Sequence, residues 1–307
     1  MPYHEIAPSL RLNYTVHHPT STSSGKPWII LVNGLADPQT TWSLQTPAFT
    51  YAGYTVLTYD NRGVGLSSRP TGDEVYTASD MASDLRSLVT ALDVPKPYHL
   101  MGVSMGGMIL QAYALDYLVS CPGEALSVTL ACTYSAPGPF CSRMFALWRD
   151  MAQRMSIADV MRDVALWAFT PPFFADPNKA ADLKAMEDEM SRIDADMGLR
   201  AYLAQLNVIT DFDTRQHVGE LGGGGGGDVG GHGVEVTKPM EVIVLAGEQD
   251  ILIPVDLSKE LHGLIKGSRW QTTRGGHACM WEFPDEFNKA CLVEWKGVEE
   301  LERTGMK

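Results

Sequence analysis

Apolar positions along the chain fall into two alternating patterns. Short unbroken runs at residues 28–32 (Trp-Ile-Ile-Leu-Val), 54–59, 100–103, 125–131 and 240–247 read as strands buried on both faces of a parallel sheet. Between them the apolar residues recur by threes and fours. Met81, Leu85, Leu88, Val89 and Leu92 mark one face of a helix over 77–92, and Ile109, Leu110, Tyr113 and Ala114 mark a helix opening at Met105. A looser alternation of Leu10, Leu12, Tyr14 and Val16 predicts an edge strand over 9–18, and a helix is expected from about Thr41-Trp42. Beyond residue 250 the pattern predicts a helix over 254–265, a strand over 269–273 and a last helix over 284–301. Strand and helix alternate four times before residue 132, which implies an α/β fold with a mostly parallel central sheet flanked by helices.

At Tyr134 the pattern changes. Pro137 and Pro139 interrupt the chain, and residues 141–215 carry only helical periodicity, over 144–155, 157–169, 180–193 and 199–209. Helices inserted into an alternating sheet protein are expected to lie over the carboxyl edge of the sheet, where such sheets bind ligands. The expected organisation is therefore a core of residues 1–135 and 216–307 with a helical cap at 136–215. Residues 221–234 hold nine glycines and are expected to form a flexible surface loop. A phosphate cradle is disfavoured there, because no Gly-Lys-Ser/Thr ending and no buried strand accompany the glycines.

One junction carries candidate chemistry. The run ending at Val103 meets Gly102-Val-Ser-Met-Gly106, and the helical pattern starts directly after Ser104. A serine with glycine two positions either side fits a tight, strained strand-to-helix turn that holds the hydroxyl above the sheet edge over a helix N-terminus. Ser104 is thus the candidate nucleophile. A serine hydroxyl needs a base, and the base needs a third group to fix its tautomer. Of the eight histidines, His4, His17 and His18 lie in the N-terminal edge region, and His99 begins the serine strand at the opposite end from Ser104. His217 and His232 flank the glycine tract and His262 lies within a helix. His277, in Arg274-Gly-Gly-His-Ala-Cys279, alone follows a late strand onto a loop at the carboxyl edge, and is the candidate base. Asp250 follows the strand ending at Gly247 and is the candidate orienting acid; Glu248 is its nearby competitor. The oxyanion donors expected are the backbone N–H groups of Met105 and of Leu35, in the loop after residues 28–32.

Together Val-Asn-Gly-Leu (32–35), Tyr-Asp-Asn-Arg-Gly-Val-Gly-Leu-Ser (59–67), Gly-Val-Ser-Met-Gly-Gly (102–107), Ala-Gly-Glu-Gln-Asp-Ile-Leu-Ile-Pro (246–254) and Gly-Gly-His-Ala (275–278) resemble the α/β-hydrolase superfamily, in the chain order Ser, Asp, His. Gly-Gly-His-Ala-Cys followed by Pro284-Asp-Glu-Phe-Asn is similar to the aminoacrylate hydrolases of pyrimidine breakdown and the neighbouring 3-oxoadipate enol-lactonases. The resemblance implies an α/β-hydrolase fold with a helical cap and a cofactor-independent serine hydrolase, esterase- or lactonase-like. Two departures stand out: Asn33 occupies a position where the superfamily usually has His, and the glycine tract is not a family feature. Asn33, with Trp148 and Trp167 of the cap, is expected at the substrate pocket.

Composition narrows the partners. A net charge of −13 disfavours nucleic acid and anionic membrane surfaces. No apolar stretch approaches the length of a membrane span, and no basic segment leads into an apolar run at the N-terminus. Five cysteines without a Cys-x-x-Cys pair are expected to be reduced thiols in a cytoplasmic protein. The expected partner is a small-molecule substrate; no metal or cofactor is called for, and a homodimer is one option for the oligomeric state. The same triad serves carbon–carbon cleavage, lyase chemistry or acyl transfer on this fold, and a small-molecule receptor is the alternative from another class.

Overall fold

In the computed structural model, residues 2–20, 25–222 and 240–304 are described. The N-terminal β1 (Tyr3–Ala7) and β2 (Leu10–His17) form an antiparallel hairpin, followed by β3 (Trp28–Val32), α1 (Thr46–Tyr51), β4 (Thr55–Tyr59) and α2 (Ala78–Ala91). β5 (Tyr98–Val103), α3 (Met105–Tyr113) and β6 (Ala125–Ala131) come next. Between β6 and β7 the regular structure of the described residues is helical: α4 (Pro139–Ala152), α5 (Ile157–Ala168), α6 (Pro171–Ala175), α7 (Ala180–Met190), α8 (Ile193–Asp196) and α9 (Leu199–Asp211). β7 (Glu241–Gly247), α10 (Val255–Leu264), β8 (Arg269–Thr273), α11 (Cys279–Glu282) and α12 (Pro284–Thr304) complete the chain. The eight strands form one sheet in the order β1-β2-β4-β3-β5-β6-β7-β8, parallel from β4 onward.

The unbroken apolar runs are explained by the two faces of this sheet. Ile29 and Leu31 of β3 pack with Phe49, Phe287 and Trp295 on one side, while Ile30 and Val32 pack with residues of α2 and α3 on the other. Every position of β5 and β6 is buried. Burying one Val, Leu or Ile side chain contributes roughly 1.5–3 kcal/mol, so strands covered on both faces dominate the stability of the fold.

Three elements differ from the sequence pattern. β1 has no counterpart in it, because Tyr3–Ala7 alternates between exposed and half-buried positions and buries no residue fully. The helix expected at Thr41 is a short 3₁₀ turn, Gln39–Trp42, and the α-helix begins after it with Pro47 in its first turn. Pro139 does not break the chain but opens α4, where a missing N–H costs nothing because a helix's first donors have no intrahelical acceptor. The glycine-rich stretch 221–234 lies outside the described residues apart from Leu221 and Gly222.

Strand register brings the carboxyl ends into line. Val32 of β3 is level with Gly102 of β5, Val103 with Ala131, Ala131 with Leu245, and Gly247 with Thr273. Each of these ends releases a loop, so the chain after Val32, Val103, Ala131, Gly247 and Thr273 gathers along a single edge. Close backbone contact holds that edge. A Cβ on Gly106 would lie 2.1 Å from the carbonyl oxygen of Val32, and one on Gly102 would lie 2.3 Å from that of Gly106. Gly106→Ala therefore has to move backbone, and should cost at least the 1–3 kcal/mol of ordinary overpacking. Gly263 in α10 meets nothing within 4 Å, and Gly263→Ala there should stabilise by up to about 1 kcal/mol. Urea midpoints for the two variants should move in opposite directions; equal midpoints would show that the edge is looser than drawn.

Candidate active site

Ser104 lies at the turn from β5 into α3 with φ 55° and ψ −119°, a conformation that a side chain-bearing residue rarely adopts. It is held there from both sides. Its N–H donates to the carbonyl of Ala131 at 2.9 Å, and its own carbonyl accepts from the N–H of Gly107 at 2.9 Å. The N–H of Met105 is the first of α3, beside the positive end of the helix dipole.

The loop after β3 lies against the serine. A Cβ built on Gly34 would be 3.6 Å from Cβ of Ser104 and 2.8 Å from Oδ2 of Asp37, so hydroxyl and carboxylate flank one backbone position. Asn33 is fully buried and braces this loop: Oδ1 accepts from the Trp42 indole at 2.6 Å, and Nδ2 donates to the carbonyls of Tyr59 and Asp37. It does not line the cavity, contrary to the expectation from sequence, because all its polar atoms are engaged within the loop. From the helical segment, Gln205 of α9 accepts from the N–H of Ala36 and donates to the carbonyl of Arg62. The loop that carries Leu35 is thus tied at both ends.

Asp250 and His277 emerge from β7 and β8. Oδ2 of Asp250 lies 2.8 Å from Nδ1 of His277, and Oδ1 accepts from the N–H of Ile253 at 2.9 Å. An ionised carboxylate only accepts, so this bond fixes the proton on Nδ1 and leaves Nε2 as the basic nitrogen. Asp250 is 4% exposed, which makes the bond a charge-assisted one shielded from water. Glu248 instead points to the surface, where it accepts from the Thr272 hydroxyl. The close approach of the two loops requires Gly247, whose Cβ would fall 2.0 Å from the carbonyl of Gly276.

Sequence reasoning missed Glu282. Its carboxylate is buried, with Oε1 accepting from the N–H of Gly276 at 2.7 Å and Oε2 from the hydroxyl of Thr170. The N–H of Ala278 donates to the carbonyl of Ala168 at 2.9 Å. The histidine loop is therefore fastened to the helical segment on both sides of His277. A Glu flanked by Trp281 and Phe283 in an otherwise apolar turn was the available signal.

Ser104 and His277 face a single cavity of about 100 Å³. Its walls are almost entirely apolar, with Phe145, Trp148, Met161 and Phe169 contributed by the helices between β6 and β7. Trp148 is on its wall. Trp167 is not: its indole donates to Asp163 and its ring meets Phe140 edge-on, away from the cavity. Among the described residues, Cys132, Asp250 and His277 are the one group with metal-ligand spacing, their ligand atoms lying within 4.8 Å of one another. Both oxygens of Asp250 are already hydrogen-bonded, and Cys132 carries a thiol whose ionisation is strongly suppressed, first by its contact with the Cys279 thiol and then by burial. That donor set does not suit a metal.

A carboxylate stands on the cavity wall. Asp37 lines it, and has no hydrogen-bond or ion-pair partner for its side chain among the described residues. Burial pushes its carboxyl up to about 7, Glu189 adds to the rise, and His277 opposes it.

Comparisons with known proteins bear on the family and the fold. The family model described as alpha/beta hydrolase fold matches residues 22–284. The chain is 24% identical to "Putative carbamate hydrolase RutD" of Caulobacter segnis over 276 residues, 90% of this chain and 93% of that protein. Among solved structures it is similar to the enol-lactonase of Burkholderia xenovorans, at 21% identity and a TM-score of 0.76 over 95% of this chain and 98% of that one. It is also similar to a bromoperoxidase of Bacillus anthracis, at 21% identity and a TM-score of 0.75, covering 94% and 96%. No helix among the described residues is long and apolar enough to cross a membrane.

The Asp37 environment has a consequence for stability. The folded protein holds this proton up to about pH 7, whereas the free carboxyl loses it near 3.8. Because the folded state binds the proton more tightly, stability declines as pH rises between those values and is level above them. Asp37→Asn has no such titration. The difference in Tm, variant minus wild type, should therefore grow from about pH 4 to pH 7 and stay constant beyond. Scanning calorimetry of both proteins at about pH 5 and pH 8 checks this, and a pH-independent difference would mean that Asp37 is hydrated like a surface carboxylate.

Proposed function

The chain belongs to the α/β-hydrolase family, and on that premise we propose that it is a cofactor-independent serine hydrolase of a small ester, lactone, thioester or amide, working through an acyl-enzyme on Ser104. The observation that carries the proposal is the pairing of His277 with Asp250 at 2.8 Å, on a cavity shared with a serine held at positive φ. In this mechanism Nε2 of His277 takes the Ser104 proton as the hydroxyl attacks the carbonyl, and Asp250 stabilises the imidazolium that forms. The N–H groups of Leu35 and Met105 receive the oxyanion. His277 then protonates the leaving group, and water activated by the same nitrogen releases the acid.

Size and surroundings support a small acyl group. A cavity of about 100 Å³ is well below the 300–1,000 Å³ of typical drug-sized sites. Apolar walls favour a short hydrocarbon acyl chain, and the helices between β6 and β7 serve as a cap that keeps bulk water from the reacting bond. The names of its relatives, a carbamate hydrolase and an enol-lactonase, describe attack on a carbonyl bearing a heteroatom leaving group. The same reaction is proposed for this chain.

A fluorophosphonate probe should label the wild-type protein and leave Ser104→Ala unlabelled. Against a series of p-nitrophenyl esters and lactones, Ser104→Ala and His277→Ala should each lose on the order of 10⁴–10⁶ in kcat. Asp250→Asn should lose about 10⁴, the scale known for the equivalent change in a serine protease, while Glu248→Gln should stay near wild type. Near-wild-type turnover by Ser104→Ala, or silence of Glu248→Gln with an active Asp250→Asn, would overturn the assignment of roles.

A further inference from the structure

We propose that Asp37 is a specificity-determining residue that holds a cationic ammonium group on the leaving-group side of the substrate. The inference rests on the serine-hydrolase reading and names the substrate class for the same site.

The first argument is chemical isolation. Outside Ser104 and His277, the polar side-chain groups on the cavity wall are the Asp37 carboxylate and two indole N–H groups. Both indoles are committed elsewhere, Trp148 to Asp163 and Trp281 to the carbonyl of Thr41. Asp37 is half-buried and its side chain has no partner among the described residues, so its carboxylate is open to a ligand. A lone carboxylate among apolar walls gains most from a ligand that supplies the counter-charge.

The second argument is position. Asp37, Met161, Met190 and Trp281 line both the inner cavity and an outer groove of about 810 Å³, so the carboxylate stands where the two join. An acyl group seated beside Ser104 would direct its alcohol or amine portion past Asp37 into the groove. Gly34 contributes space for this arrangement, since any side chain there would meet the Asp37 carboxylate at 2.8 Å.

The third argument is the sign of the surrounding charge. The groups facing this junction are His277 from the β8 loop and Glu189 from α7, with Asp60, Asp196, Arg192 and His17 further along the groove. Counting Asp37 itself, four carboxylates stand against one arginine and two histidines, and burial lowers the pKa of His17. A cation entering the groove is attracted; an anion is repelled. An ionised Asp37 next to the oxyanion loop would oppose the negative charge developing there. With an ammonium bound, that charge is neutralised, and in the empty site burial holds the proton on the carboxyl up to about pH 7. Binding a cation below about pH 7 therefore expels one proton from Asp37 into solution.

The test uses the full chain in the Ser104→Ala background, where binding is read without turnover. The probes are butyrylcholine, a permanent cation, and 3,3-dimethylbutyl butyrate, its uncharged carbon isostere. By calorimetry at about pH 8, butyrylcholine should bind at least tenfold more tightly than the isostere. The additional change Asp37→Asn should remove that preference, and Asp37→Glu should restore most of it. Near pH 6, titrations in two buffers of different ionisation enthalpy should report proton release that is absent at pH 8 and absent in Asp37→Asn. In the wild-type enzyme the same preference should appear in KM more than in kcat. Equal affinity for the two probes, or a preference that survives Asp37→Asn, would overturn the inference while fluorophosphonate labelling of Ser104 still stood. Loss of labelling would instead overturn the hydrolase reading on which it rests.

Discussion

Backbone packed against backbone, at Gly106 and the carbonyl of Val32, is the constraint on which the site depends. That contact brings the start of α3 against the end of β3, with no room for a single carbon between them. It sets the distance from the serine turn to the Asn33–Asp37 loop, and so decides whether a carbonyl oxygen can reach the N–H groups of both. Gly102 adds a second such contact inside the turn itself. Ser104 can then hold its positive φ only because the strands on either side, each buried on both faces, fix the points where the turn begins and ends. Strain of this kind costs on the order of 1–3 kcal/mol and persists where surrounding structure over-determines it.

The remaining site residues are placed by the same rule applied along the sheet edge. Parallel pairing sets Val103 beside Ala131, Ala131 beside Leu245 and Gly247 beside Thr273, although these strands are far apart in the chain. Three of the loops that leave this edge are then locked by a buried polar side chain from their own neighbourhood. Asn33 locks the β3 loop, Asp250 bonds its own turn through Ile253, and Glu282 holds the histidine loop. Side chains with hydrogen bonds on two sides lose little further entropy when substrate binds, which is the physical content of a preorganised site.

The parts of this arrangement readable from sequence are those set by local pattern. Buried strands announced themselves as unbroken apolar runs, and the glycines around Ser104 marked a turn that only glycine permits. The order of Ser104, Asp250 and His277, each just beyond a strand, followed from strand positions alone. What was not readable depends on side-chain direction in three dimensions. Asn33 and Trp167 sit near the cavity in sequence and near it in space, yet their polar atoms are turned into the loop and toward Asp163. Asp37, beside a proline, looked like an ordinary loop residue; only its place on the cavity wall and its proximity to His277 distinguish it. β1 was silent because a hairpin strand with two half-exposed faces leaves no apolar alternation.

The helices between β6 and β7 do more than roof the cavity. Through Ala168 and Thr170 they bond the loop on either side of His277, and through Gln205 they bond the loop that carries Leu35. The His277 loop and the loop that carries Leu35 are therefore each referred to the same helical segment, as well as to the sheet. A rigid lift of that segment would break the Ala168–Ala278 hydrogen bond and pull the charged end of Glu282 from its buried partners, at a cost of about 1.5–3 kcal/mol for each charge-assisted bond lost. The outer groove offers a route that breaks none of these bonds, since it joins the cavity beside Asp37 and between Met161 and Met190. Methionine side chains are flexible and repack readily. On the proposed reading, substrate that enters through that junction leaves the Asp250–His277 pair in place and passes Asp37, whose carboxylate has no partner among the described residues.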